Sequence, residues 1–356
     1  MAGPLVTVLI DTYNHERFIE EAVVSALEQD FPVSDREVLV VDDGSTDRTP
    51  EILRKFVPRI RLLQKANGGQ ASAFNAGLAE ARGEIVAFLD GDDWWAGEKL
   101  HRVASAFLDR PETCLVGHGI VEVFQNGCQR VETLHEECRF QANSPRGADM
   151  LRNRKHLLGT SRMTLRARVL REILPVPEAL VFEADEYLFT LAAALSEVVI
   201  LTEPLAYYRH HDANLFQIGQ GSSARGLRKL EVLDALCAEL SKQLRAHGVE
   251  PRTIGSILDA VRAEARQLRL SLCGGFSWET IVTELRLLRI HHSDASFRQW
   301  LFSRVRLFPA ALLPPRTYYR WRSRLGRSPA YLRLRERYLP IPMGGHLRRE
   351  DKRVSP

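Results

Sequence analysis

An α/β architecture, in which a mostly parallel central sheet is flanked by helices and followed by a helical C-terminal region, follows from three features of the 356-residue chain. Short unbroken apolar runs alternate with helical patterns through the first half, as buried parallel strands and crossover helices require. Two of those runs end in acidic clusters, Asp42-Asp43-Gly44-Ser45-Thr46-Asp47 and Asp90-Gly91-Asp92-Asp93. Beyond about residue 223 the apolar residues repeat at helical spacing instead.

In chain order, strands are expected at 5–10, 37–41, 60–64 and 85–89. Between the first two, Ile19, Val23 and Leu27 recur every fourth residue and mark a helix over 18–29. Asp47 or Thr49 can cap the next helix, with Pro50 in its first turn, where a missing N–H costs little. A third helix over 71–81 follows the Asn67-Gly68-Gly69 loop, and 98–108 reads as a fourth. The run 115–124 reads as a strand, whereas 126–154 is weakly patterned and is where a substrate-specific insertion would sit. Order returns over 157–174, and 184–195 is a helix that starts among acids. A polar stretch at 217–223 suggests a boundary between a first domain, 1–216, and a basic helical region, 217–356. In the latter, Leu227, Leu230, Leu233, Leu240 and Leu244 form one apolar face, and Ile254, Ile257, Leu258, Val261, Leu268 and Leu272 another. A further helix is expected over 278–290.

Apolar content of 45% supplies an ample core, and five scattered cysteines without a Cys-x-x-Cys pair argue against a disulfide framework or zinc knuckle. Together with a start that leads straight into Leu5-Val6-Thr7-Val8, without a signal-peptide pattern, they predict a cytoplasmic protein. No apolar stretch approaches the roughly 18 to 20 residues that span a bilayer, so membrane contact would be peripheral, at the inner face. The net charge is only +4, yet 298–337 holds eleven arginines against the single acid Glu336. Aromatic residues interleave with them: Trp300, Phe302, Phe308, Tyr318, Tyr319, Trp321 and Tyr331. This composition suits an anionic membrane surface or another polyanion; no recognised nucleic-acid-binding fold accompanies it, and a solvated helix face is the plain alternative.

Ligands of open α/β sheets collect beyond the carboxyl ends of the strands, so both acidic clusters should share one rim. Carboxylates so gathered call for a hard divalent cation, a diphosphate, or both. Taken singly, Asp43-Gly44 could be a tight turn and 90–93 a solvated one; their joint placement favours a site. Trp94 and Trp95 read as packing rather than as a sugar platform.

Four motifs in order, Thr7-Val8-Leu9-Ile10-Asp11-Thr12-Tyr13-Asn14, then Val41-Asp42-Asp43-Gly44-Ser45-Thr46-Asp47, then Asn67-Gly68-Gly69 with Asn75-Ala76-Gly77, then Phe88-Leu89-Asp90-Gly91-Asp92-Asp93, resemble glycosyltransferase family 2. The resemblance covers about 5–214 and implies the Rossmann-like GT-A fold, a nucleotide-diphosphate sugar donor and inversion at the anomeric centre. It would set the nucleobase against Thr12 and Tyr13, with Asp43 accepting a hydrogen bond from the base. Asp90-Gly91-Asp92 matches the family's Asp-x-Asp motif, which implies ribose contact by Asp90 and Mg²⁺ or Mn²⁺ at Asp92. In Phe182-Glu183-Ala184-Asp185-Glu186 the catalytic acid falls on Asp185; Ala184 breaks the usual Glu-Asp pair, leaving Glu183 and Glu186 as alternatives. Tyr207-Tyr208-Arg209-His210-His211-Asp212-Ala213-Asn214 resembles the family's Tyr-Arg-x-His-x-x-Asn ending, which puts His211 on the metal or phosphate. Asp11 stands where proline is common and Phe74 where arginine often precedes the asparagine.

The resulting expectation is metal-dependent, inverting transfer from a UDP- or dTDP-sugar to a hydroxyl of a glycan or lipid-linked acceptor. A nucleotidyltransferase is disfavoured, because the loop after the first strand is acidic and lacks the glycines that grip a triphosphate. A non-catalytic nucleotide-sugar or carbohydrate-binding scaffold that keeps the fold is the alternative from another class.

Overall fold

The computed structural model of the chain describes residues 5–152, 159–211, 223–291, 307–326, 328 and 347–353. Its sheet starts with β1 (Val6–Thr12), β2 (Arg36–Asp42), β3 (Arg61–Gln64) and β4 (Ile85–Asp90), paired in parallel in the order β3-β2-β1-β4. These are the four expected strands, shifted by one or two residues at their ends. The alternation of each strand divides the core. Val8 and Ile10 pack on the face covered by α1 (Ile19–Leu27) and α4 (Lys99–Asp109). Leu9, Leu39 and Phe88 pack on the opposite face, under α3 (Gln70–Glu80) and α7 (Ala184–Leu195). A short α2 (Thr49–Arg54) follows β2; its first amide is bonded by the Asp47 carboxylate at 2.9 Å.

Beyond β4 the sheet is mixed. β9 (Thr164–Arg166) runs antiparallel between β4 and β6 (Thr113–Val123), and β7 (Cys128–Leu134) forms a hairpin with β6. The weakly patterned stretch thus holds β7, β8 (Cys138–Phe140) and α5 (Pro145–Arg152), and α6 (Ala167–Ile173) follows β9. The long β10 (Glu197–Arg209) lies parallel to β6 and antiparallel to both β8 and β5 (Trp94–Trp95). Its register shifts on both sides of Pro204, which absorbs the residue that cannot donate a ladder bond.

The helical region begins with α8 (Ser223–Ala246), whose Leu230, Leu233, Leu236, Leu240 and Leu244 join the same buried cluster as Leu188 and Leu191 of α7. Leu227 is 44% exposed, and Leu236 completes the stripe in its place. The second apolar face belongs to two helices, α9 (Pro251–Ile257) and α10 (Asp259–Cys273), separated at Leu258. α11 (Ser277–His291), α12 (Leu307–Leu312) and α13 (Pro315–Gly326) follow, and β11 (Leu347–Arg353) pairs antiparallel with β7. Among the described residues no helix is long and apolar enough to cross a membrane. Of the sequence features above, the stretch 212–222, with Asn214 and most of the expected boundary, and Arg298, Trp300, Phe302, Arg304, Arg306, Arg327, Tyr331, Arg333, Arg335, Glu336 and Arg337 lie outside the described residues.

Candidate active site

Register alone brings the two acidic clusters together. Asp11 lies opposite Asp90, and Thr12 opposite Asp42, so the carboxyl ends of β1, β2 and β4 form one rim. Asn14 binds two of the rim loops to each other: its backbone N–H donates to Ser45 Oγ at 2.9 Å, and its Oδ1 accepts from the Thr46 N–H at 2.8 Å. Asn14 takes a left-handed φ of 57°, which asparagine tolerates better than most residues. Beside it a hollow of about 180 Å³ is lined by His15, Phe18, Asp47 and His211, among others.

Asp42 caps its own turn, with Oδ1 accepting from the Ser45 N–H at 2.9 Å. The carboxylate of Asp43 reaches the loop before α3, accepting from the Gly69 N–H at 2.7 Å, the Gly68 N–H at 3.1 Å and Lys65 Nζ at 2.7 Å. Only glycine suits position 69, where φ is +84° and a Cβ would come within 2.7 Å of Val181 Cα. Thr12 is buried, its hydroxyl 3.2 Å from His15 Nδ1, whereas Tyr13 is exposed. Phe74, at the position where arginine is common in the resemblance, is a core residue that meets Phe88 edge-on at 5.1 Å.

The end of β4 and the turn after it carry Asp90, Asp92 and Asp93, whose ligand atoms lie within 4.8 Å of one another. Each carboxylate has a different environment. Asp92 Oδ2 is 2.9 Å from His211 Nε2 and 3.7 Å from His15 Nε2. Burial alone would raise the Asp92 pKa, but the two imidazoles hold it below the usual value. Burial also drives His15 toward its neutral form, so the His211 hydrogen bond is the firmer anchor. Asp93 has each oxygen bonded once: Ser161 Oγ donates to one at 2.6 Å and the Arg209 N–H to the other at 3.0 Å. Arg209 also donates from Nε to the Asp92 carbonyl at 3.1 Å, pairs with Glu21, and lies over the rings of Phe18 and Trp94. Trp94 stacks on Tyr207 at 4.9 Å, while buried Trp95 donates its indole N–H to the Ser161 carbonyl at 3.0 Å, so packing accounts for both.

Asp185 sits in the first turn of α7, following Glu183, which has φ 63°. Its Oδ2 accepts from the Thr160 N–H at 3.1 Å and hydroxyl at 3.3 Å, and Oδ1 from the Glu186 N–H at 2.8 Å. Burial, then repulsion from Glu183, pushes its pKa up to about 6, a value suited to accepting a proton near neutrality. Glu186 is 5% exposed. Asp92, Asp185 and Asp43 are near enough for their charges to act on Asp11. Burial and these charges raise Asp11 to about 8, and its Oδ1 is buried with no hydrogen-bond partner among the described residues.

This donor set fits a hard divalent ion. Clustered carboxylate oxygens with an adjoining imidazole are ligands that Mg²⁺ and Mn²⁺ accept, and an orphaned buried carboxyl oxygen beside them is the kind of atom a cation satisfies. Asp92 and His211 would hold it, with Asp90 and Asp93 beside them in the same cluster.

Sequence reasoning missed Asp11, His15, Arg209 and the 3₁₀ turn Thr160–Arg162. That turn links Asp185, through Thr160, to Asp90 and Asp93, through Ser161. No short motif marks it. Asp11 did carry a signal, as the carboxylate at a position where the resemblance expects proline.

The family model described as glycosyl transferase family 2 matches residues 7–174. An uncharacterised glycosyltransferase of Nostoc sp. is 33% identical over 221 residues, 59% of this chain and 66% of that protein. The poly(ribitol-phosphate) β-N-acetylglucosaminyltransferase TarS of Staphylococcus aureus is 41% identical over 107 residues, 29% of this chain and 18% of its own. In both, the match spans less than two thirds of the relative's length. The crystal structure of S. aureus TarS 1–349 in complex with UDP-GlcNAc superposes with a TM-score of 0.57 at 20% identity, over 89% of this chain and 91% of that one. That likeness gives the fold.

Proposed function

The chain belongs to glycosyltransferase family 2, and on that premise we propose that it is a metal-dependent, inverting transferase. It would move a sugar from a UDP- or dTDP-sugar to an acceptor hydroxyl in polysaccharide, cell-surface glycan or glycolipid synthesis. The observation that carries the reading is the shared rim on which strand register sets Asp11, Asp42 and Asp90, with Asp92 bonded to His211 and Asp185 tied to the same turn through Thr160 and Ser161. TarS, whose crystal structure holds UDP-GlcNAc, supports a nucleotide-sugar donor.

Thr12 and Tyr13 would flank the base. Asp43, whose two oxygens accept from Lys65, Gly68 and Gly69, would exchange one of these bonds to take a base N–H. Asp90 would meet the ribose. Asp92 and His211 would hold Mg²⁺ or Mn²⁺, which would supply positive charge to stabilise the departing diphosphate. Asp185 accepts the acceptor hydroxyl proton as that oxygen bonds to the anomeric carbon and the bond to the diphosphate breaks on the opposite face. An acceptor carried at an anionic membrane surface would suit the basic C-terminal region.

The test is UDP or dTDP release from a panel of nucleotide sugars with Mn²⁺, with and without acceptor. Stimulated release that is lost in Asp92→Ala supports the proposal. Near-wild-type transfer by Asp92→Ala in saturating metal overturns it, and ligand binding without any release favours the non-catalytic scaffold.

A further inference from the structure

The helical region bares apolar side chains at one corner. Phe276 is 70% exposed, Trp278 57%, Phe308 72% and Leu312 66%. A hydrogen bond from Ser277 Oγ to the Leu313 carbonyl at 3.2 Å joins the start of α11 to the end of α12, which brings these side chains to the same place. Exposed Val282 and Leu285 continue the stripe along α11 at helical spacing from Trp278.

A row of cations borders the corner. Arg316, Arg320 and Arg324 are all exposed and spaced four apart on α13. The opposite side of that helix is fixed inward by buried Tyr318 and Tyr319 and by the pairing of Arg322 with Glu284. Arg316 lies along the turn between α10 and α11, its Nε 3.6 Å from where a Cβ on Gly274 would be, next to Phe276. None of the three is paired with an acid among the described residues.

We propose that this corner is a docking surface for a bilayer rich in anionic lipid, with Trp278 and Phe308 entering the headgroup layer and the arginine row lying on lipid phosphates. Aromatic and aliphatic side chains beside arginines match the interface, which is apolar below and anionic above. A soluble polyanion would complement the cations but leave the four large apolar side chains in water. Among the described residues no helix is long and apolar enough to cross a bilayer. This deepens the reading of a membrane-presented acceptor, and its vesicle-binding readout needs neither donor nor acceptor.

Sedimentation of the full chain with sucrose-loaded vesicles decides it. We expect binding to phosphatidylcholine–phosphatidylglycerol vesicles, weakened by salt, and none to phosphatidylcholine alone. Each arginine near an anionic surface contributes about fivefold in affinity, so Arg316→Glu, Arg320→Glu and Arg324→Glu together should lower it by more than about 100-fold. The pair Trp278→Ser and Phe308→Ser should lower it at least about tenfold, at unchanged melting temperature and UDP release. Absence of binding to anionic vesicles at low salt overturns the proposal, as does equal binding by the variants. Tighter binding to heparin or single-stranded RNA that ignores the Trp278 and Phe308 substitutions also overturns it, in favour of a polyanion site. So does a dimer in sedimentation velocity that those substitutions dissociate, since the corner is then covered by a second copy. Loss of vesicle binding with UDP release intact removes only this inference; vesicle binding without UDP release removes only the transferase reading.

Discussion

Asp185 is poised by bonds that can be removed one at a time. Its carboxylate is held by Thr160 and the Glu186 amide, and burial with the Glu183 charge sets its pKa at about 6. Asp185→Asn keeps the shape and loses the basicity, so transfer should fall by about 10²–10⁴-fold while donor affinity changes little. In the proposed mechanism the ionised form accepts the proton, so transfer should rise with pH through about 6 and then level off. Near-normal rates in Asp185→Asn with loss in Glu183→Gln or Glu186→Gln would move the role to one of those neighbours. A Cβ on Gly91 would lie 2.6 Å from Thr12 Oγ1 and 2.9 Å from His15 Nδ1, so Gly91→Ala must displace the turn that carries Asp92. We expect at least about tenfold weaker Mn²⁺ binding by electron paramagnetic resonance titration, the size of loss that outer-shell disturbance causes at metal sites.

Among the elements, the turn Thr160–Arg162 connects the parts of the site that the strands do not. Ser161 donates to Asp93, accepts from the Asp90 N–H at 3.2 Å, and through its carbonyl receives Trp95 and the buried Lys99. Ser161→Ala leaves the buried Asp93 oxygen short of a donor, which costs about 1–3 kcal/mol and should appear as a lower urea midpoint with an unchanged slope. A wild-type midpoint would show that the network contributes nothing. The contrast with β1, β2 and β4 explains what could be read from sequence. A strand buried on both faces writes an unbroken apolar run, and α7 announces itself by its acids and its Leu188 register. Residues that act through one hydroxyl or one carbonyl, as Ser161 does, leave no periodic trace. β10 was hidden because Pro204 argues against a central strand, and only the register shift beside it reconciles the two. The single helix expected over 254–272 split at Leu258 because both pieces keep their apolar face on α8, so periodicity alone runs through the break.

For the molecule as a whole, the acids at the sheet rim oppose folding when no cation is present. Asp11 is raised from 3.8 to about 8 and Asp185 to about 6, in both cases chiefly by burial. The folded state therefore retains protons that the unfolded chain has already released. Stability from these two groups is complete below about pH 4 and is lost as pH rises through 6 and then 8. Asp92 and Asp47, both held below the usual carboxylate value, act in the opposite sense and at lower pH. Above pH 5 the raised pair should dominate, so the melting temperature in chelator should fall steadily between pH 5 and 8. A divalent ion at Asp92 and His211 removes the repulsion that Asp11 feels and favours its ionised form. Mn²⁺ should then raise the melting temperature more at pH 8 than at pH 5, and its binding should release protons, read by calorimetry as a dependence of binding heat on the buffer's ionisation heat. A melting temperature that is flat with pH in chelator, together with buffer-independent binding heat, would mean that Asp11 is already ionised and that the rim is balanced by groups other than a cation.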